Sequence, residues 1–134
     1  MLLSFPLMSS CLDEPAQPQS VNEIVTEISG DWYCNIDENG FPLEFNATIS
    51  ADPSSESRIL ITNFHNTGND IKVSAVVSKD LTIEIPEQAF NNQIFRGSGL
   101  ISDDYTEITW NYTVEDENGD ITSVTGKYTY RAGA

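Results

Sequence analysis

Residues 105–115 of this 134-residue chain read YTEITWNYTVE. Apolar and polar side chains alternate within this stretch, and the apolar set is Ile108, Trp110, Tyr112 and Val114. A period of two residues predicts a β-strand, because successive side chains of a strand point to opposite faces of the sheet. One apolar face and one polar face are typical of an antiparallel sheet that is buried on one side.

The same alternation continues on both sides of this stretch, interrupted by clusters of turn-forming residues such as Asp-Glu-Asn-Gly. The predicted strands cover residues 31–37, 42–51, 57–63, 70–78, 80–86, 93–101, 105–115 and 121–131. Short connections favour an antiparallel up-and-down meander, and a meander of about eight strands protects its edges best by closing into a barrel. A two-sheet sandwich fits the same strand count and alternation, and it stays open as the alternative.

A short helix is predicted ahead of the first strand. Ser20 and Glu23 fit a capping box, and apolar residues follow at helical spacing over residues 21–29. Gly30 stands where a left-handed C-terminal cap ends such a helix. The fold predicted for residues 20–134 is therefore a single all-β domain with one N-terminal helix, whose apolar stripe covers an open end of the β-structure.

The composition restricts the classes of partner. Asp and Glu number 21 against six Lys and Arg, which gives a formal net charge of -15 and a pI near 4.1. Such a charge repels phosphate backbones and anionic lipid headgroups, so we expect no nucleic-acid partner and no polybasic membrane docking. The apolar runs are far shorter than the roughly 18 residues of a membrane-spanning helix.

The N-terminal residues predict a location. Residues 1–10 form a short apolar stretch that ends in two serines, and Cys11 follows directly. This layout resembles a bacterial lipoprotein signal peptide, although the basic start of such signals is missing and we expect it upstream. Residues 11–19, rich in Pro and Gln, read as a flexible tether. We therefore expect lipidation at Cys11 and a protein of the bacterial outer membrane, periplasmic or surface-exposed, that contacts the membrane only through its anchor.

A family resemblance rests on residues at the two ends of the β-region. Gly30 and Trp32 form a Gly-x-Trp at the start of the first strand, and Arg131 lies at the end of the last strand. This arrangement resembles the lipocalin and wider calycin signature, in which the tryptophan closes one barrel end and a terminal basic residue stacks on it. The whole stretch from Gly30 to Arg131 is also similar to the short lipocalin-like lipoproteins of Bacteroidetes. The resemblance implies a small lipocalin-like barrel in which these three residues form the closure.

The residues that could carry chemistry predict no catalytic site and no cofactor. His65 is the single histidine, whereas a transition-metal site needs several His or Cys ligands, and a nucleophile-elbow Gly-x-Ser-x-Gly is absent. Cys34 falls on the apolar face of the first strand, where we expect a buried, inert thiol. We therefore expect a protein that is not an enzyme.

Calcium is the one metal for which candidate ligands can be named. Asp116, Asn118 and Asp120 place oxygen donors at alternate positions, as calcium-binding loops do. The rest of an EF-hand loop is missing, and a tight hairpin turn explains the same residues.

Two functions stay open. The first is a non-catalytic binding module that holds a small apolar or amphipathic ligand inside the barrel, lined by Phe45, Trp110, Tyr112 and Tyr128. The second is an interaction protein, such as an inhibitor or an accessory subunit of a surface complex, that acts through its loops or outer face around a filled barrel. An open interior pocket of roughly 300 Å³ or more favours the first function, and a filled interior favours the second.

Overall fold

The computed structural model describes residues 20–131, which form one α-helix, a short 3-10 turn (Phe64–Asn66) and eight β-strands. The helix, α1, spans Val21–Ile28. The strands are β1 (Gly30–Glu38), β2 (Phe41–Ala51), β3 (Arg58–Thr62), β4 (Lys72–Val77), β5 (Thr82–Phe90), β6 (Gln93–Ile101), β7 (Glu107–Glu115) and β8 (Ile121–Tyr130). In the described part of the chain, no helix is long and apolar enough to cross a membrane.

The eight strands form one closed antiparallel barrel in sequence order. The closing pair is β1 with β8, whose register runs from Trp32 opposite Tyr130 to Glu38 opposite Val124. The predicted all-β meander is thereby confirmed, and the two-sheet sandwich is wrong, because a continuous ladder joins the first strand to the last. The helix and all eight strands lie within a few residues of their predicted positions.

The meander gives the barrel two ends, which we call the helix end and the plug end. The helix end carries α1 and the connections at residues 52–57, 78–81 and 102–106, and the plug end carries those at residues 39–40, 63–71, 91–92 and 116–120. The plug is the segment of residues 63–66, which turns into the barrel mouth and buries Phe64 and His65.

The helix end is closed by a regular, capped helix. The Ser20 hydroxyl accepts a hydrogen bond from the Glu23 N–H at 3.2 Å, and the Glu23 carboxylate accepts one from the Ser20 N–H at 3.1 Å. This capping box satisfies backbone donors that the first helical turn leaves unpaired. Ile24, Val25 and Ile28 are buried, as the helical spacing predicts.

Gly30 differs from its predicted role as a helix cap. The helix ends at Ile28, Ser29 is already extended, and Gly30 opens β1 with a φ of +138°. A Cβ at Gly30 would lie 3.0 Å from the ring of Tyr130. The glycine therefore permits an unusual backbone angle and the close approach of an aromatic ring, and it does not supply a left-handed cap.

Aromatic side chains fill the barrel interior. The largest fully buried side chains are Trp32, Trp110, Tyr112, Tyr128, Phe64 and Phe95. Their rings meet edge to face or tilted, for example Phe64 with Tyr112 at 4.7 Å and Trp110 with Tyr128 at 5.4 Å between centroids. An eight-stranded barrel is just wide enough for its own side chains to fill it.

Two inward-facing glycines of β6 make room for this aromatic core. A Cβ at Gly97 would overlap the backbone and Cβ of Tyr112 on β7, and one at Gly99 would lie 2.8 Å from the Trp110 ring. The pairing of β5 with β6 also shifts register between Ile85 and Gln88. Glycines and a bulge together let the sheet curve tightly.

Candidate functional site

The residues expected to line a ligand pocket all lie inside the barrel. Phe45 is 9% exposed, and Trp110, Tyr112 and Tyr128 are each 1% exposed or less. They pack against one another and against Phe64 of the plug. The space that a ligand would occupy is therefore taken by side chains of the protein itself.

The plug has a backbone conformation that L-residues seldom adopt. Asn63, His65 and Asn66 have φ values of +65°, +58° and +58°, all in the left-handed region. Asparagine tolerates this region better than most residues, because its short side chain can hydrogen-bond locally. The Asn63 side chain accepts locally from the Gly68 N–H at 2.7 Å, and it also donates to the Asn46 carbonyl of β2 at 2.7 Å.

The Phe64 ring is the apolar part of the plug. It is fully buried and lies between three rings of β6 and β7. The centroid distances are 6.0 Å to Phe95, 5.7 Å to Trp110 and 4.7 Å to Tyr112. Full burial of a phenylalanine side chain stabilises a structure by roughly 1.5–3 kcal/mol, which offsets the unfavourable backbone around it.

A polar triad from three distant parts of the sequence holds the plug. His65 Nδ1 lies 2.7 Å from Tyr112 Oη, and His65 Nε2 lies 3.5 Å from a carboxylate oxygen of Glu38. The Glu38 side chain is 37% exposed at the barrel mouth, whereas the His65 side chain is 8% exposed. The triad therefore leads from solvent through a buried imidazole to a buried phenol.

The chemistry of the three groups fixes the proton positions at neutral pH. Burial lowers the pKa of His65 below its usual value, and the Glu38 carboxylate offsets that effect only in part. A carboxylate only accepts hydrogen bonds, so Nε2 of the neutral ring carries the hydrogen and Nδ1 accepts from the Tyr112 hydroxyl. Burial also raises the pKa of Tyr112, which keeps its hydroxyl protonated.

His65 falls between the predicted strands at residues 57–63 and 70–78, and no sequence motif indicated this triad. Its members are too far apart in the chain for any local motif, since 47 positions separate His65 from Tyr112. The two asparagines that flank Phe64 and His65 could have indicated a left-handed backbone here, because asparagine is enriched at left-handed positions.

Two polar atoms in the core have no hydrogen-bond partner among the described residues, Trp110 Nε1 and Tyr128 Oη. Tyr128 lies directly across from Cys34 in the β1–β8 ladder, without hydrogen-bond geometry between their side chains. Cys34 is free and buried as predicted, and burial raises the pKa of its thiol to about 12. The thiol therefore stays protonated and unreactive at neutral pH.

The expected closure of the helix end requires one correction. Trp32 is fully buried there, and its indole N–H donates to the Ile28 carbonyl at 2.9 Å. The ring that contacts it from β8 is Tyr130, at 5.2 Å and nearly edge-on. The Arg131 guanidinium, which the resemblance would stack on Trp32, instead donates to Asn46 Oδ1 at 2.8 Å.

Strand alternation explains that correction. Trp32 and Tyr130 are directly opposite in the β1–β8 ladder and share the inward face. Arg131 is one position further on, so its side chain points to the outer side of the sheet. Gly30, Trp32 and Arg131 do lie together at the helix end, where the Arg131 N–H also bonds to the Asp31 carbonyl at 2.9 Å.

The candidate calcium ligands form a hairpin turn between β7 and β8. One carboxylate oxygen of Asp116 accepts the backbone N–H groups of Asn118 and Asp120, at 2.9 and 3.0 Å. Residues 20–131 contain no group of three or more His, Cys, Asp or Glu side chains that could hold a metal ion. The predicted lipidation site, Cys11, lies outside the described residues.

The outer wall of the barrel carries an open depression over β5, β6 and β7, with a volume of about 760 Å³. The short side chain of Ser98 on β6 lies between Glu84 on β5 and Asn111 on β7, and Arg96 lines the depression beside them. Further along the outer face of β6, Leu100 is 57% exposed. Two further open depressions also lie outside the barrel, over the hairpins of the plug end and over β1, β7 and β8.

Fold and site together define a small, closed antiparallel β-barrel with an aromatic core and a self-supplied plug. No protein-family model matches the chain, and no curated protein matches it. Among solved structures, it is similar to a protein of unknown function from Bacteroides ovatus, with a TM-score of 0.48 and 15% sequence identity. That match covers 77% of this chain and 41% of the other, so this chain spans less than half of its length. At this level the likeness assigns no function.

Proposed function

We propose that this protein is a lipid-anchored, non-catalytic interaction protein of the bacterial cell envelope, which binds a protein partner through its outer wall. The observation that carries the proposal is the filled interior, in which six large side chains are less than 2% exposed. Small-molecule sites are concave and largely preformed, so a filled barrel argues against an interior ligand. The ligand-holding module expected as the other function would have to displace Phe64 and its neighbours.

The depression over β5, β6 and β7 supports this wall as the binding face. Barrel walls are usually convex, whereas here short polar side chains leave an open recess bordered by Glu84 and the Arg96–Glu87 ion pair. Leu100 adds an exposed apolar side chain on the same strand face. A recess of mixed polarity with both charge signs and an apolar neighbour suits a protein surface better than a small apolar ligand.

The position of α1 supports an arrangement in which the helix end faces the membrane. α1 begins at Val21, directly before the barrel, so a chain anchored at Cys11 would approach from the helix end. Nine residues, 11–19, connect the anchor to the domain, and they span at most about 30 Å when fully extended. The outer wall and the plug end would then be accessible to other envelope proteins.

The anchor has its own test, labelling of the full chain with a fatty-acid analogue in a bacterial host. We expect incorporation in the wild type and in Cys34→Ala, and none in Cys11→Ala. Cys34→Ala is the matched control, because it removes the other cysteine of the chain. Label that persists in Cys11→Ala would overturn the anchor.

The binding face is tested by placing a photo-cross-linking amino acid at Ser98, in the depression, or at Ser123, on the outer face of β8. Both side chains are exposed, which makes the two positions a matched pair. We expect one discrete cross-linked protein from position 98 and none from position 123. Asn111→Arg should abolish that product, because a long side chain then fills the recess.

The competing function predicts a different result in native mass spectrometry of the wild type purified from its host. We expect the mass of the polypeptide with its lipid and nothing more. A small molecule that co-purifies in stoichiometric amount would favour the ligand-holding module. Equal cross-linking from positions 98 and 123 would remove the outer wall of β5, β6 and β7 as a specific binding face.

A further inference from the structure

We propose that the Glu38–His65–Tyr112 triad is a proton-operated latch, which holds the plug in the barrel mouth at neutral pH and releases it in mild acid. The proposal goes beyond the binding of a partner, since it concerns a conformational device within the isolated protein. Its basis is the combination of an unfavourable backbone, a buried imidazole and a path from that imidazole to solvent.

Tertiary contacts stabilise the plug, whereas its own backbone conformation is unfavourable. Three of its four residues, Asn63, His65 and Asn66, are left-handed. Residues in such regions persist only where the surroundings hold them, and they cluster in switch segments. The contacts that hold this segment are the Phe64 ring among three aromatic rings, the Asn63 side-chain bonds and the His65 contacts.

The groups that face His65 come from three strands. β1 supplies Glu38, β7 supplies the Tyr112 hydroxyl, and β6 supplies the uncharged Phe95 ring at 5.7 Å. Among the described residues, Glu38 is the one charged group that acts on the imidazole. Tyr112 and the nearby thiol of Cys34 both stay protonated in this range, because burial raises the pKa of each.

A proton that arrives at His65 Nδ1 disturbs the latch in two ways. It places a positive charge on a side chain that is 8% exposed, with one carboxylate 3.5 Å away as compensation. It also converts Nδ1 from acceptor to donor, so the Tyr112 hydroxyl must become the acceptor and turn its own hydrogen elsewhere. The Tyr112 hydroxyl then loses the imidazole acceptor that it has in the closed state, whereas the released plug gives the imidazolium full solvation.

The direction of the pH effect follows from linkage. The pKa of His65 is lowered in the closed state, while in the released state it has its ordinary value of about 6.5. Above about pH 6.5, His65 is neutral in both the closed and the released state, so the full stability of the closed plug is present. That stability is lost as the pH falls from 6.5 towards the lowered pKa, because the released state binds the proton first.

The sequence makes the experiment unambiguous, because His65 is the single histidine. The full chain, without a histidine tag, is labelled for NMR, and the imidazole signals are followed from pH 8 to 4. Amide hydrogen exchange is measured across the same range and corrected for its intrinsic pH dependence. We expect the protection of the plug amides to fall about tenfold for each pH unit between 6.5 and the lowered pKa. Strand amides of β7 should not change.

Two variants separate titration from packing. His65→Asn keeps a side chain that tolerates the left-handed backbone and removes the titrating group, so the pH dependence of plug exchange should disappear. Glu38→Gln removes the compensating charge, so the pKa of His65 should fall further and the loss of protection should extend to lower pH. Glu117→Gln is the matched control, an exposed carboxylate at the same end that does not face His65.

Three results would each overturn the latch. They are an imidazole that titrates at its ordinary pKa, plug amides whose corrected exchange does not change with pH, and a pH dependence that survives in His65→Asn. The first two come from the wild type and therefore do not depend on any variant folding. Since no partner is present, failure of the latch leaves the proposed outer-wall interaction untouched, and failure of cross-linking at Ser98 leaves the latch untouched.

Discussion

At the helix end, eight residues of regular α-helix cover the barrel; at the plug end, four residues do so, three of them left-handed. The helix satisfies its backbone through its own hydrogen bonds and a local capping box. The plug depends on Glu38 and Tyr112, which come from distant strands. The helix end is therefore stabilised by local hydrogen bonds, whereas the plug end is stable only while its tertiary contacts hold. A closure that depends on tertiary contacts can respond to its surroundings.

The largest effect is expected from Phe64→Ala, which removes the apolar part of the plug. Truncation of a fully buried phenylalanine costs about 3–5 kcal/mol, from lost burial and from the cavity left behind. Chemical denaturation followed by tryptophan fluorescence measures the change in the free energy of unfolding. Phe41→Ala is the matched control at the same end, because Phe41 is 74% exposed, and its effect should stay within about 0.5 kcal/mol. Equal losses in the two variants would contradict the plug as a packed element.

A smaller effect is expected when one hydroxyl is removed from either end of the core. Tyr112→Phe leaves His65 Nδ1 buried without its partner, and it should cost about 1–3 kcal/mol. Tyr128, nearer the helix end, has an unpartnered hydroxyl, so Tyr128→Phe should be neutral or stabilise by up to about 1 kcal/mol. The pair is matched, since each variant deletes a single oxygen from a buried tyrosine. Unfolding in urea distinguishes the two, and a larger loss in Tyr128→Phe would reverse the comparison.

The smallest effect is expected at the helix cap. Ser20→Ala removes the hydroxyl that accepts the Glu23 N–H, and loss of such a cap costs about 1 kcal/mol. Amide exchange should quicken in α1 and stay unchanged in the plug, because the two closures are independent. Ser123→Ala, on the exposed face of β8, is the control and should leave α1 exchange unaltered. Faster exchange in the plug of Ser20→Ala would show that the two ends are coupled.

Most of the fold was predictable because its signals are local. Alternation identifies a strand such as β7, and the capping box at Ser20 marks the start of α1. The main departure is β5, predicted to end at Pro86 but extending to Phe90. The strand continues beyond Pro86 because its pairing with β6 shifts register there. The Gln88 side chain also hydrogen-bonds to the backbone of Ser74 on β4. A side chain that replaces ladder hydrogen bonds has no signature in the sequence.

The site was less predictable, because it depends on register and on closure. The aromatic residues were expected inside the barrel, but sequence gives no measure of whether an interior is open or filled. The position of Arg131 on the outer side follows from pairing Trp32 with Tyr130, which only the β1–β8 ladder determines. The triad needs Glu38, His65 and Tyr112 at one mouth, which requires the complete barrel.

The ladder between β1 and β8 has a consequence for how this protein can be recognised. The described sheet closes on itself and has no terminal edge strand, which makes it a poor template for β-strand addition by an incoming peptide. A partner at the proposed outer-wall face would then meet mainly side chains, so single substitutions on that face should tune its affinity. Many copies can also stand close together without templating edge-to-edge assembly, and the net charge of -15 adds mutual repulsion. An open sheet of the same strands would present two edges for such assembly.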